Sequence, residues 1–176
     1  MTVASQAVMG VLLSVAVATD LRKGMVYNWL TLPAALVGLM LGWWHGGWLG
    51  LGLSGLGLLV GGALLLAPFW LGAIGGGDVK LLAAMGALAG AGFALKTALY
   101  ACLVGGAWAL VVMLAKGRLG QGLANLGRLL RGLAVPGLRA EPPQDLGLPG
   151  IPFAVCLAAG ALWVRFFDLM PGRFSA

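Results

Sequence analysis

Charge is scarce in this chain. Only 9% of its 176 residues are Asp, Glu, Lys or Arg, and 61% are hydrophobic, whereas a soluble domain carries roughly 25% charged residues. That imbalance excludes a soluble enzyme, because so much apolar surface has no core of its own to enter. Histidine occurs once, as His45, and cysteine twice, as Cys102 and Cys156, each inside an apolar run. A zinc site needs clustered His, Cys or carboxylates, and neither HExxH nor CxxC occurs. A triad hydrolase needs a base beside its nucleophile, and His45 stands in a Trp/Gly turn far from any candidate serine. The cysteines have no disulfide-framework spacing and read as small apolar core residues. Five carboxylates remain to carry chemistry: Asp20, Asp78, Glu141, Asp145 and Asp168.

Glycine, at 31 positions, and long apolar runs are what the chain has in excess. Glycine suits close packing between membrane helices. About six apolar stretches fall at 3–19, 27–44, 49–74, 79–95, 97–115 and 148–164, each near the length that crosses a bilayer. The first ends in Ala16-Val17-Ala18, which resembles a signal-peptidase site. No basic residue precedes it, so it is expected to stay as a helix. Lys80 stands near the start of the fourth, able to snorkel to the interface. The expected fold is all-α: one polytopic membrane domain over 1–176, with about six transmembrane helices and a loop at 116–149. In that loop Leu119, Leu123, Leu126, Leu130 and Leu133 recur at helical spacing, opposite Gln121, Asn125, Arg128 and Arg131. Such a basic amphipathic helix lies in the headgroup plane.

Orientation follows the cations. With the amino terminus outside, Arg22, Lys23, Lys80, Lys116, Arg118, Arg128, Arg131 and Arg139 fall inside, and Lys96, Arg165 and Arg173 outside. The loop is then cytoplasmic, and Trp43, Trp44 and Trp48 form an aromatic belt at the outer interface.

Asp20 ends the first apolar stretch and Asp78 opens the fourth. Two crossings separate them, so both are expected at the cytoplasmic face. Two adjacent carboxylates resist joint ionisation and share a proton. One then activates a water while the other, protonated, polarises a peptide carbonyl. This is aspartic-protease chemistry, and it needs neither metal nor cofactor. Taken singly, either residue also reads as a helix-boundary aspartate or N-cap. Gly75-Gly76-Gly77 ahead of Asp78 shifts the reading, since that run lets backbone approach a neighbour closely.

Gly75-Gly76-Gly77-Asp78-Val79-Lys80-Leu81-Leu82-Ala83-Ala84-Met85-Gly86 resembles the GxGD signature of the type IV prepilin peptidase family. Asp20-Leu21-Arg22-Lys23 with Tyr27-Asn28-Trp29-Leu30-Thr31 resembles that family's other block. Ile151-Pro152-Phe153-Ala154 with Gly160 resembles its Pro-aromatic-Ala segment before the last helix. The resemblance implies a membrane-embedded aspartic endopeptidase in which Asp20 and Asp78 are the catalytic pair. It places Asn28, Gly75, Gly77, Lys80 and Pro152 around them. It further implies type IV pilin-like precursors as substrates, their basic leaders cut at the cytoplasmic face of the inner membrane. Tyr27 stands where the family usually has proline. The larger members carry a domain with paired CxxC motifs, linked with methylation of the new amino terminus. This chain instead resembles the short form found in Flp/Tad-type and archaeal preflagellin systems. Besides precursor and lipid bilayer no partner is implied; no nucleic-acid partner is expected, and the oligomeric state is left open.

Presenilin-like proteases share GxGD, but their Tyr-Asp pair and Pro-Ala-Leu segment are absent. Lipoprotein signal peptidase is set apart by its missing Asn-x-x-Asp block. The alternative outside enzymes is a small ion-coupled carrier or assembly subunit. A precursor's hydrophobic helix is expected against a face with Gly61, Gly62, Gly86 and Gly90. Its basic leader would meet Glu141 and Asp145, or a partner protein.

Overall fold

The computed structural model describes residues 2–70, 72, 74–122, 124, 127 and 152–168, and the described residues contain helices and no strand. The chain divides into two compact units, 1–104 with 152–176 and 105–151.

In the first unit, α1 spans Val3–Lys23 and α2 spans Asn28–Trp70. Thr2 caps α1, its hydroxyl accepting from the Ser5 N–H, and Gly24 ends it in the left-handed region (φ 63°). The stop lies four residues beyond the expected boundary at 19, because Gly24 is the residue that readily takes this conformation. Asp20 therefore sits inside the last turn, its carbonyl accepting from the Gly24 N–H at 2.7 Å.

α2 is interrupted at Gly47, with φ 55° and ψ −139°. In a straight helix the twelve-residue step from Gly42 to Ser54 would span about 18 Å. A Cβ built on Gly42 would instead collide with the Ser54 hydroxyl, and one on Gly50 with the Gly42 carbonyl. α2 is thus two arms folded against each other at Gly47, which matches the stretches expected at 27–44 and 49–74. The second arm ends at Trp70, short of 74.

Both arms pack on α3, Gly76–Ala89. A Cβ at Gly38 would lie 2.8 Å from the Ala87 carbonyl carbon, and one at Gly61 2.5 Å from the Leu82 oxygen; Gly57 meets Gly86 backbone to backbone. Contact this close requires glycine. Leu81, Leu82 and Met85 of α3 are fully buried in one cluster with Leu12 and Ala16 of α1 and Leu65 of α2.

α3 is shorter than the stretch expected at 79–95. Gly90 turns the chain at φ 89°, its N–H bonding the Gly86 carbonyl. Fourteen residues span about 21 Å, less than the roughly 30 Å of hydrocarbon. Phe93 and Leu95 instead belong to α4, Ala91–Ala115. The last described helix, α5, spans Phe153–Asp168, with its start displaced from the expected 148. Its Gly160 lets it close on α4, where a Cβ would lie 2.7 Å from the Thr97 oxygen.

Three helices, α1, α2 and α4, are long and apolar enough to cross a membrane. Trp29, Leu32, Leu36 and Met40 of α2 are exposed, and Trp44 and Trp48 at its fold are 84% and 81% exposed. Exposed apolar area on this scale belongs in lipid.

In the second unit, α4 ends before a turn at Gly117 (φ 64°), where the Arg118 N–H bonds the Met113 carbonyl at 2.9 Å. Residues 119–122, 124 and 127 are helical, while Leu123, Leu126, Leu130 and Leu133 of the expected amphipathic helix lie outside the described residues. Arg128, Arg131, Arg139, Glu141 and Asp145 lie outside the described residues.

Candidate active site

Three stretches distant in sequence converge at one end of the first unit. They are the last turn of α1 with the link 24–27 that follows it, the start of α3 and the start of α5. The fold of α2 at Gly47 returns the chain to this end before α3 begins.

Gly77 draws two of them together. A Cβ there would lie 2.8 Å from the Val26 carbonyl oxygen and 2.9 Å from the Val26 Cβ. The link that follows Asp20 is thereby pressed onto the turn that carries Asp78. The other two glycines of the run are less constrained. A Cβ on Gly76 would meet the Phe69 ring at 3.2 Å, and one on Gly75 the Asp78 carboxyl at 3.4 Å.

Asp78, in the first turn of α3, is 9% exposed. It precedes the apolar run from Val79 and lies outside the three spans. Burial pushes its carboxyl up, to about 6, and the charge of Asp20 adds to the effect. A backbone hydrogen bond at Gly75 works in the opposite direction. The two aspartates are therefore within electrostatic reach of each other, as the doubled motif implied. The Asp20 carboxyl accepts a hydrogen bond from the Ala154 N–H of α5, Oδ2 to N at 3.0 Å.

Lys80 and Asn28 bridge the starts of α3 and α2, Lys80 Nζ donating to Asn28 Oδ1 at 2.8 Å. Tyr27, in the place of the family's usual proline, still begins a helix. Its carbonyl accepts from the N–H groups of Leu30 and Thr31, and its ring lies 5.6 Å beneath the Lys23 ammonium. Pro152 precedes α5, and its carbonyl accepts from the N–H groups of Val155 and Cys156. Asp20, Asn28, Gly75, Gly77, Asp78, Lys80 and Pro152 are thus at this end. Cys156 is buried, and both aspartates exert a charge effect on it.

Two participants were not foreseen. The Ala154 amide lay inside a motif already noted, but a backbone N–H has no letter in the sequence. Val26 had no signal at all. One expectation is corrected: Gly61 and Gly86 do not form an open face for a substrate helix. They are occupied by packing between α2 and α3, where a Cβ would strike backbone. Among the described residues no cluster of three or more His, Cys, Asp or Glu could hold a metal ion.

The model of the type IV leader peptidase family matches residues 7–110. The chain belongs to the type IV leader peptidase family. It is a membrane peptidase, and the match contains Asp20, Asn28, Gly75, Gly77, Asp78 and Lys80. The leader peptidase match stops before α5, so Pro152 and Ala154 lie beyond it. No curated protein and no solved structure matches the chain.

Proposed function

We propose that this leader peptidase is an aspartic endopeptidase whose catalytic pair is Asp20 and Asp78. It removes the basic leader from type IV pilin-like precursors at the cytoplasmic face of the inner membrane. The observation that carries this reading is the gathering of the two aspartates, a whole α2 hairpin apart in sequence, at one end of the helices. The charge of Asp20 acts on the buried Asp78.

The chemistry follows from that arrangement. Two carboxylates brought together in one site favour a state with one proton between them. The charged member takes a proton from water as it attacks the scissile carbonyl carbon. The protonated member donates to the carbonyl oxygen as charge develops there. Collapse of the tetrahedral intermediate returns a proton to the leaving amine and releases the leader. The site's position at a helix end suits a substrate whose cleavage point joins a polar leader to an apolar helix. The cations near this end, Arg22, Lys23 and Lys80, favour the cytoplasmic side.

The test is cleavage of a synthetic precursor, with basic leader, glycine at the cut and apolar segment, by the purified protein in lipid. Cleavage at the glycine is expected, with loss in Asp20→Asn and in Asp78→Asn. Substantial activity in either variant at normal expression would remove the dyad.

A further inference from the structure

The start of α5 is joined to the catalytic end by one hydrogen bond. In any helix the first four N–H groups have no acceptor within the helix. Here Val155 and Cys156 donate to the Pro152 carbonyl, at 3.0 and 3.4 Å. Ala154 donates to Asp20 Oδ2 at 3.0 Å, across 134 residues of sequence. A carboxylate from α1 thus takes the place that a serine or aspartate N-cap would hold. Pro152 has no N–H of its own and pre-sets the backbone for a helix start.

This bond acts on charge as well as position. A backbone N–H donated to a carboxylate favours its charged form, and the positive end of a helix dipole does the same. Asp78 also has a backbone bond, at Gly75, but within its own first turn and in a more enclosed place. Burial disfavours charge, so the two carboxyls are set apart by their surroundings.

We propose that the Ala154 main-chain amide is a positioning group of the active site. It holds Asp20 as the ionised member of the pair, so that Asp20 is the base and Asp78 the acid. The assignment rests on the dyad reading above, and it gives α5, which lies beyond the family match, a part in catalysis.

Among the described residues, the ionisable groups that face this carboxylate are few. Asp78 on α3 and Cys156 on α5 are within electrostatic reach. Of the cations on these elements, Lys80 donates to Asn28, Lys23 lies over the Tyr27 ring, and Arg22 is exposed. α2 carries no carboxylate, lysine or arginine, and its His45 donates from Nδ1 to the Leu41 carbonyl within its own helix.

The experiment removes that N–H and reads the pH profile of kcat/KM on the synthetic precursor. Proline is tolerated in a first helical turn, so Ala154→Pro deletes the donor. Ala154→lactic acid deletes it without adding a ring, and carries the test if the proline variant does not fold. The active form has Asp20 charged and Asp78 protonated. The acidic limb therefore reports protonation of Asp20, and the alkaline limb ionisation of Asp78. Loss of the amide is expected to move the acidic limb upward by about 1–2 pH units and leave the alkaline limb in place. Ala154→Gly keeps the N–H and is expected to retain both limb positions. Movement of the alkaline limb alone would make Asp20 the acid and overturn the assignment. Unmoved limbs in the ester variant would remove the amide from the mechanism. Neither outcome touches the dyad, which falls only if Asp20→Asn or Asp78→Asn still cleaves.

Discussion

Gly77 and Asp78 are neighbours in the chain with opposite demands. Asp78 needs a partner charge and an enclosed place; Gly77 needs the absence of a side chain. Replacing Asp78 by Asn should lower kcat/KM by about 10²–10⁴-fold, the scale of one acid–base group. The same variant has a stability signature. The folded protein holds the Asp78 proton up to about 6, against an ordinary carboxylate value of 3.8. The wild type then loses stability as pH rises from 3.8 through about 6, because ionising the buried carboxyl costs the folded state more than the unfolded one. Asp78→Asn has no such loss. Its melting temperature, read in the same detergent, should exceed the wild type's above about pH 6 and converge with it below about pH 4, the window set by the folded and ordinary values of that carboxyl. Parallel curves at all pH values would mean that Asp78 is not the group held protonated. Gly77→Ala should disable cleavage and cost about 1–3 kcal/mol, because its new methyl meets the Val26 backbone. Gly76→Ala should be milder, since the Phe69 ring it meets can rotate away.

Among the elements, α2 has the most to specify, because one continuous apolar run must make two arms. The reversal rests on Gly47, whose φ of 55° and ψ of −139° are open to glycine and strained for other residues. Gly47→Ala should cost about 1–3 kcal/mol, measured as a lower melting temperature in lipid micelles. Activity per folded molecule should change little, since the turn is at the far end from the aspartates. The bond between Lys80 and Asn28 is exposed. Removing it by Lys80→Met should therefore cost about 1 kcal/mol or less. A larger loss of cleavage than of stability in that variant would show that the bond sets the approach of α2 to α3 at the site.

For the molecule as a whole, the decisive prediction is its direction in the membrane. In a background of Cys102→Ser and Cys156→Ala, a membrane-impermeant maleimide should label Arg22→Cys from the cytoplasmic side and Gly46→Cys from the other. The reverse pattern would put the aspartates outside and end the proposed access to precursor leaders. Arg22 lies in the last turn of α1 beside Asp20, and Gly46 at the far end of the first arm of α2, so the pair reads which side each end of the helices faces.

Composition and spacing alone determined that this is a helical membrane chain with few carboxylates to carry chemistry. The reason is physical: 61% hydrophobic residues with 9% charge leave few other solvents and few other chemistries. The motif glycines and Pro152 were equally legible, because glycine and proline constrain the backbone wherever they stand. Helix ends were less so. The stops at Gly24 and Gly90 depend on which of 31 glycines takes a positive φ, a choice made by packing. Tertiary structure alone decided that Gly57, Gly61 and Gly86 would be filled by the chain's own helices, since a run of glycine permits close approach without naming the partner. It alone joined Val26 to Gly77 and the Ala154 amide to Asp20. Those contacts are made by backbone atoms that every residue carries, so no letter of the sequence marks them, and only the return of α3 and α5 to the end of α1 brings them within reach.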